Sequence, residues 1–296
     1  MASWQLMLQI WRCLPLKARP ETAMAMVQIT LLGCGKMGSA MLKGWLVDPG
    51  LKAQFTIIEP ETQHLGWAGA HQQVAIYSDC GAAIQAGTPV SDVIVLAVKP
   101  QIMDEAIASF GPLRDDKTAF LTIAAGISTS WLKARLGLHT PVLRAMPNTP
   151  AAIGKGVTAL YCDSAKPDLA ALATHLLRTI GAVVLIDDES LMDAVTAVSG
   201  SGPAYVFLMA EVMTAAGVTA GLPAALASQL AEATVTGAGA LIEAADESPS
   251  RLRENVTSKG GTTAAALAVL MADDGLSSLM ERAVQAAKKR SVELGA

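Results

Sequence analysis

From Val27 to Ile186 short apolar runs alternate with segments of helical period. "VQITLLG", "FTIIE", "VIVLAVKP", "AFLTIAAG", "PVLRAMPN" and "VVLI" are rich in Val, Ile and Leu, and most end at Gly, Pro or Asn. Runs that are apolar on both faces mark parallel strands covered on both sides, because a strand wetted on one face alternates instead. Helical segments such as "SAMLKGWLV" and "STSWLKARL" lie between most of them. That alternation predicts a doubly wound α/β domain. After about Asp187 the strand pattern stops. "ESLMDAVTAVSG", "PAYVFLMAEVMTAAGV", "PAALASQLAEATVTGAGALIEAA" and "GLSSLMERAVQAAKKRSVEL" all carry helical period. The expected organisation is an α/β domain over 27–186 and an all-helical domain over 187–296, meeting near "IDDES" (186–190).

Composition sharpens this picture in four places. The helical half is dense in Ala and Gly, which let helices approach closely, and a module of that size buries too little surface alone. Interlocking with a second copy of the chain, as a homodimer or larger homo-oligomer, is therefore expected. The mean hydropathy of +0.40 raises the question of a membrane. However, the longest apolar run, Ala204 to Val218, contains Glu211 and falls short of the roughly 20 apolar residues a span needs, so a buried helix and no membrane segment is expected. Residues 1–26 are not periodic, and their first charge, Arg12, follows the apolar stretch, unlike a signal peptide. They read as a disordered extension, or as a start placed too far upstream with Met24 or Met26 the true beginning. Finally, the net charge of −4 offers no basic field for nucleic acid. Cys13, Cys34, Cys80 and Cys162 are scattered, with no metal-ligand spacing, and fit free thiols in a reducing cytoplasm. His64, His71, His139 and His175 fall outside every motif and read as ordinary surface or loop residues.

Candidate chemistry begins at "GCGKMG", residues 33–38. It follows a strand and opens a helix, the context a dinucleotide fingerprint requires. Gly33 permits a tight turn, Gly35 lets backbone approach a pyrophosphate, and Gly38 allows close helix–strand packing. The helix N-terminus offers N–H donors to the anion. The same glycines would also serve a turn without a ligand. Glu59 ends the next strand, 21 residues after Gly38. There it is placed to accept from the adenosine ribose hydroxyls and to repel a 2′-phosphate, which leans toward NADH over NADPH; otherwise it caps the following helix. "AVKP" (97–100), "AAG" (124–126) and "MPNTP" (146–150) end further strands on the same edge.

The helical half holds two more candidates. In "SGSGPAY" (199–205) Ser201 is placed to cap the helix that Pro203 begins. "RENVTSKGGTTAAAL" (253–267) interrupts helix with two adjacent glycines, which cost roughly 1 kcal/mol each against alanine. Gly260 and Gly261 free the backbone, and Thr262 and Thr263 open the next helix. N–H groups, two hydroxyls and the positive end of a helix dipole converge there, either as a receptor for a carboxylate or as a capped loop.

In that order and spacing, "LLGCGKMGSAM", "VIVLAVKP", "MPNTPAAIGKGVTALY", "VSGSGPAYVF" and "ENVTSKGGTTAAAL" resemble pyrroline-5-carboxylate reductase, over Val27 to about Gly295. The resemblance implies an N-terminal Rossmann domain, a C-terminal helical dimerisation domain, and reduction of 1-pyrroline-5-carboxylate to L-proline with NADPH or NADH. It implies cofactor contacts at Leu32, Gly33, Cys34, Gly35, Lys36, Met37 and Gly38, at Ala97, Val98, Lys99 and Pro100, at Ala124 and Ala125, and at Asn255. The substrate carboxylate is implied at Ser258, Lys259, Gly260, Gly261, Thr262 and Thr263, with the Thr263 hydroxyl facing the imine nitrogen. Lys259 departs from the proline of many members, and Glu59 from their Ser or Arg. The chemistry suits this inventory. A protonated imine is already electrophilic, so the site needs orientation more than a strong acid. The rivals are another imine or 2-hydroxyacid reductase of the same architecture and a non-catalytic nucleotide sensor.

Overall fold

The computed structural model describes residues 26–163 and 166–295. The extension expected over 1–26 therefore lies outside the described residues, Met26 excepted. Eight strands form one sheet: β1 (Val27–Leu32), β2 (Ala53–Ile58), β3 (Val74–Tyr77), β4 (Val93–Leu96), β5 (Ala119–Thr122), β6 (Val142–Met146), β7 (Gly156–Cys162) and β8 (Gly181–Ile186). Their order is β3-β2-β1-β4-β5-β6-β7-β8, so chain direction across the sheet reverses between β1 and β4. β1 through β6 run parallel, as expected for runs such as VIVL and AFLT that are buried at every position.

Two strands escape the sequence pattern, and one expectation is corrected. β3 is a four-residue edge strand with no fully buried residue, so it lacks the continuous apolar signature. β7 follows β6 through a single 3-10 turn, Thr149–Ile153, without a crossover helix. A link that short cannot return the chain to the far end of the sheet, and β7 accordingly pairs antiparallel to β6. "VVLI" was expected as a parallel strand buried on both faces. It forms part of β8, which is parallel only to β7 and antiparallel to the other six, at an edge where Leu185 is exposed.

Helices α1 (Lys36–Val47), α2 (Cys80–Gln85), α3 (Met103–Ala108), α4 (Thr129–Leu136) and α5 (Pro167–Arg178) accompany the sheet. On one face Trp45 stacks on Phe55 at 5.6 Å and donates its indole N–H to the Leu176 carbonyl at 2.9 Å. The other face is built around Phe110, Phe120 and Leu132. Among the described residues no strand follows Ile186. The helical half contains α6 (Met192–Val195), a π-helical turn (Thr196–Gly200), α7 (Gly202–Thr219), α8 (Ala224–Ala244), α9 (Pro249–Asn255), α10 (Thr262–Leu270) and α11 (Leu276–Gly295).

The expectation of a buried helix over Ala204 to Val218 is also corrected. Within one chain α7 and α10 have no buried residue and α8 has only Ala227 and Ala231. Val206, Phe207, Leu208 and Val212 are all at least half exposed. The run Glu189–Thr219 is long and apolar enough, by length and composition, to cross a bilayer. A helix that is apolar all round buries its surface against something, and a single copy of this chain does not supply it.

Candidate active site

The carboxyl ends of β1 and β4 flank the switch point of the sheet, and the glycine-rich turn sits there. Gly33 has φ +85°, a conformation that favours glycine, and a Cβ on it would lie 2.8 Å from the Ala97 carbonyl and 2.9 Å from Val98. The turn thus packs directly on the "AVKP" segment. A Cβ on Gly38 would lie 2.4 Å from the Gly33 carbonyl, so α1 can start this close to β1 only with glycine. Gly35, by contrast, faces open space and forms the N-cap of α1 with no side-chain cap bond. An uncapped first turn leaves N–H donors pointing out of the helix end. A tight turn, a clear approach over Gly35 and free donors together fit a pyrophosphate.

Glu59 is not a helix cap. Its Oε2 accepts from the Cys34 N–H at 2.7 Å and its Oε1 from the Glu61 N–H at 3.1 Å. The Cys34 carbonyl accepts from the Ser39 hydroxyl at 2.7 Å and lies 2.9 Å from His64 Nε2. Cys34 itself is fully buried, and burial pushes its thiol upward, against the opposing effect of its hydrogen bond with the Ser39 hydroxyl. It is a packing residue of the turn, not a nucleophile. His64 was read as an ordinary loop histidine. The sequence clue to its role was position: five residues after Glu59, in the loop at the ligand edge.

The other strand ends gather along the same edge. Ala97 N–H bonds the Leu32 carbonyl at 2.8 Å, and Ile123 N–H the Leu96 carbonyl at 3.1 Å, stepping the edge from β1 to β4 to β5. Ala124 is buried beyond β5, and Gly126, with φ +77°, meets the end of α11 at Leu294 and Gly295. Asn148 ties the "MPNTP" segment to the helical half: its amide donates to the Ser199 carbonyl at 3.1 Å and its Oδ1 accepts from the Val157 N–H at 2.9 Å. Gly200 packs on Met146, where a Cβ would come within 2.7 Å of the methionine methyl. Ser201, expected to cap α7, makes no side-chain cap bond. Its N–H instead bonds the Thr196 carbonyl at 2.8 Å, and the helix passes through it by the π turn.

The Ser258–Thr263 turn opens the helix α10. Gly260 has φ +73°, and Gly261 is the extended N-cap of α10 without a side-chain bond, so this helix start is also open to an anion. Gly261 N–H bonds the Ser258 carbonyl at 3.1 Å and closes the turn. Lys259 is exposed and Thr263 half-buried. Asn255, implied near the cofactor, donates to Glu247 at 2.6 Å. Among the described residues no hydrogen bond or ion pair joins 249–275 to the sheet half.

This arrangement defines a nicotinamide-dinucleotide oxidoreductase with a Rossmann-like sheet and a helical C-terminal region. The comparisons narrow the class. Residues 189–294 match the model described as pyrroline-5-carboxylate reductase dimerisation, and residues 28–126 match that of NADP oxidoreductase, coenzyme F420-dependent. A pyrroline-5-carboxylate reductase from Synechocystis is 40% identical over 91% of this chain and 98% of its own length. The structure of such a reductase from Coxiella burnetii is 31% identical, with a TM-score of 0.83 over 92% of this chain and all of that one. A Plasmodium falciparum pyrroline carboxylate reductase with NADP bound is 26% identical, with a TM-score of 0.75 over 92% of this chain and 100% of its own. The chain belongs to the pyrroline-5-carboxylate reductase family.

Proposed function

We propose that this enzyme reduces 1-pyrroline-5-carboxylate to L-proline, the last step of proline biosynthesis, as a cytoplasmic homodimer or higher homo-oligomer that prefers NADH. The reduced nicotinamide, when bound, supplies hydride to the ring carbon of the imine. The chain's own residues bind and orient. Gly33–Gly38 and the start of α1 hold the pyrophosphate, with Leu32, Ala97–Pro100, Ala124, Ala125 and Asn255 as further cofactor contacts. Ser258–Thr262 hold the substrate carboxylate, and Thr263 accepts a hydrogen bond from the imine N–H. Residues 27–186 act as the dinucleotide domain and 187–296 as the substrate and dimerisation domain. The observation that carries the reading is the packing of Gly33 on Ala97 and Val98 at the switch point of the sheet, where open α/β sheets bind ligands.

NADH preference is supported by the carboxylate of Glu59 held against the turn at Cys34, where it opposes a 2′-phosphate. The helices Gly202–Thr219 and Thr262–Leu270, which bury no residue within one chain, support a site completed by a second copy. The test follows absorbance decay of NADH and NADPH in parallel with pyrroline-5-carboxylate. We expect turnover with both and a kcat/KM higher for NADH. Faster turnover of a 3-hydroxy acid or a bulky cyclic imine would replace the substrate assignment, and a higher kcat/KM for NADPH would overturn the cofactor preference.

A further inference from the structure

We propose that His64 is a positioning residue for the dinucleotide and, through the Cys34 carbonyl, a determinant of the choice between NADH and NADPH. The proposal rests on the reading of Gly33–Gly38 as the pyrophosphate turn and deepens it.

The Cys34 peptide groups are held from three directions. The N–H is taken by Glu59, at the end of β2. The carbonyl is taken by Ser39, from within α1, and by His64, from the 3-10 turn Thr62–Leu65. A carbonyl can only accept, so Nε2 of His64 carries the proton and donates, which fixes the tautomer. The loop after β2 therefore grips both sides of the middle residue of G-x-G. Glu59 alone would anchor only the root of that loop. Its far end is anchored by His64 to the turn and by Leu65, fully buried, to the core. Pro60 to Gln63 between them are exposed.

This geometry links two recognition events. The Cys34 peptide sets how Gly35 and the start of α1 face the pyrophosphate. The 59–64 loop sets how closely polypeptide crowds the adenosine ribose beside Glu59. A 2′-phosphate needs room and a cation there; the loop supplies two carboxylates, Glu59 and Glu61, and is pinned in place by His64. Losing the pin loosens the turn that both dinucleotides use and frees the loop to move out of the way of a 2′-phosphate. Loosening the turn weakens both dinucleotides, and freeing the loop offsets that loss for NADPH alone, whereas general damage would weaken both equally.

The test is a fluorescence titration of the full-length oligomer with NADH and with NADPH, without substrate, on wild type, His64→Ala, His64→Gln and Gly38→Ala, together with steady-state kinetics and Tm. One neutral hydrogen bond corresponds to about fivefold in affinity. We expect His64→Ala to weaken NADH by about that factor and NADPH less, so that the NADH:NADPH affinity ratio falls. The KM for pyrroline-5-carboxylate and Tm should stay at wild-type values. His64→Gln, whose amide N–H can replace the Nε2 donor, should recover most of the loss. An NADH affinity within twofold of wild type in His64→Ala overturns the proposal. So does an equal loss for both dinucleotides, or a loss that glutamine does not recover. Gly38→Ala separates the premise: unchanged NADH affinity there would sink the pyrophosphate turn itself, whatever His64 does.

Discussion

At the scale of single residues, the demand on the site is backbone proximity. Gly33 and Gly38 are fixed by distances that no side chain survives, 2.8 Å to Ala97 and 2.4 Å to Gly33 respectively. Thr263 is constrained differently. Its own chain covers it only in part, for α10 has no buried residue, and it stands in the first turn of an uncapped helix that follows the left-handed Gly260. Hydride addition to a protonated imine cancels a charge, so the residue facing the nitrogen orients the ring and need not be an acid. Thr263→Val keeps shape and removes the acceptor. A hydrogen bond to a charged group contributes roughly 1.5–3 kcal/mol, so turnover should fall about 10- to 100-fold while NADH affinity in a fluorescence titration stays at wild type. An unchanged kcat would remove Thr263 from the mechanism.

At the scale of elements, one largely buried charge cluster helps hold the junction between the halves. Glu189 Oε1 accepts from Arg144 at 2.8 Å and from the Thr129 N–H at 2.9 Å, while Oε2 accepts from the Thr129 hydroxyl at 2.5 Å. β6, the first turn of α4 and the entry to the helical half meet at this carboxylate. The Arg144 side chain is only 9% exposed, so deleting its partner strands a guanidinium largely out of water. Breaking such a pair costs roughly 3–5 kcal/mol when fully buried. Glu189 keeps one fifth of its exposure, so Glu189→Ala should lose about 2–3 kcal/mol in urea unfolding. A loss below about 1 kcal/mol would mean the junction is held elsewhere, for example by the 3.1 Å bond from the Asn148 amide to the Ser199 carbonyl. Neither end of this cluster was legible in the sequence, because Arg144 and Glu189 are 45 residues apart and sit in unrelated motifs. The strands they anchor were legible wherever burial on both faces produced an unbroken apolar run. β3 and the antiparallel turn of β7 were not, since an edge strand and a short connection leave no such trace.

At the scale of the whole molecule, the helical half is unfinished as a single chain. Phe207, Leu208 and Val206 are 61%, 56% and 50% exposed on a helix that contains no buried residue. The match to a dimerisation module over 189–294 places that surface where a second copy is expected. Burying a charge in such a contact costs several kcal/mol. Phe207→Asp should therefore shift the protein toward monomer in sedimentation at micromolar concentration and lower turnover at least tenfold, while NADH titration shows the sheet half still binding. A monomeric variant with full turnover would show that one chain completes the site.

The sequence by itself determined what local pattern and local chemistry can encode: the alternation that builds the sheet, the break into helices after Ile186, the glycine-rich turn between a strand and a helix, and the motifs that mark the family. Only the tertiary structure decided that Gly33 rests on Ala97, that Asn148 bonds Ser199, that His64 and Glu59 share the Cys34 peptide, and that the helices Gly202–Thr219 and Thr262–Leu270 bury no residue within one chain. The division has a physical cause. Periodicity and turn propensity depend on neighbours along the chain, whereas which groups meet across tens of residues depends on how whole elements pack.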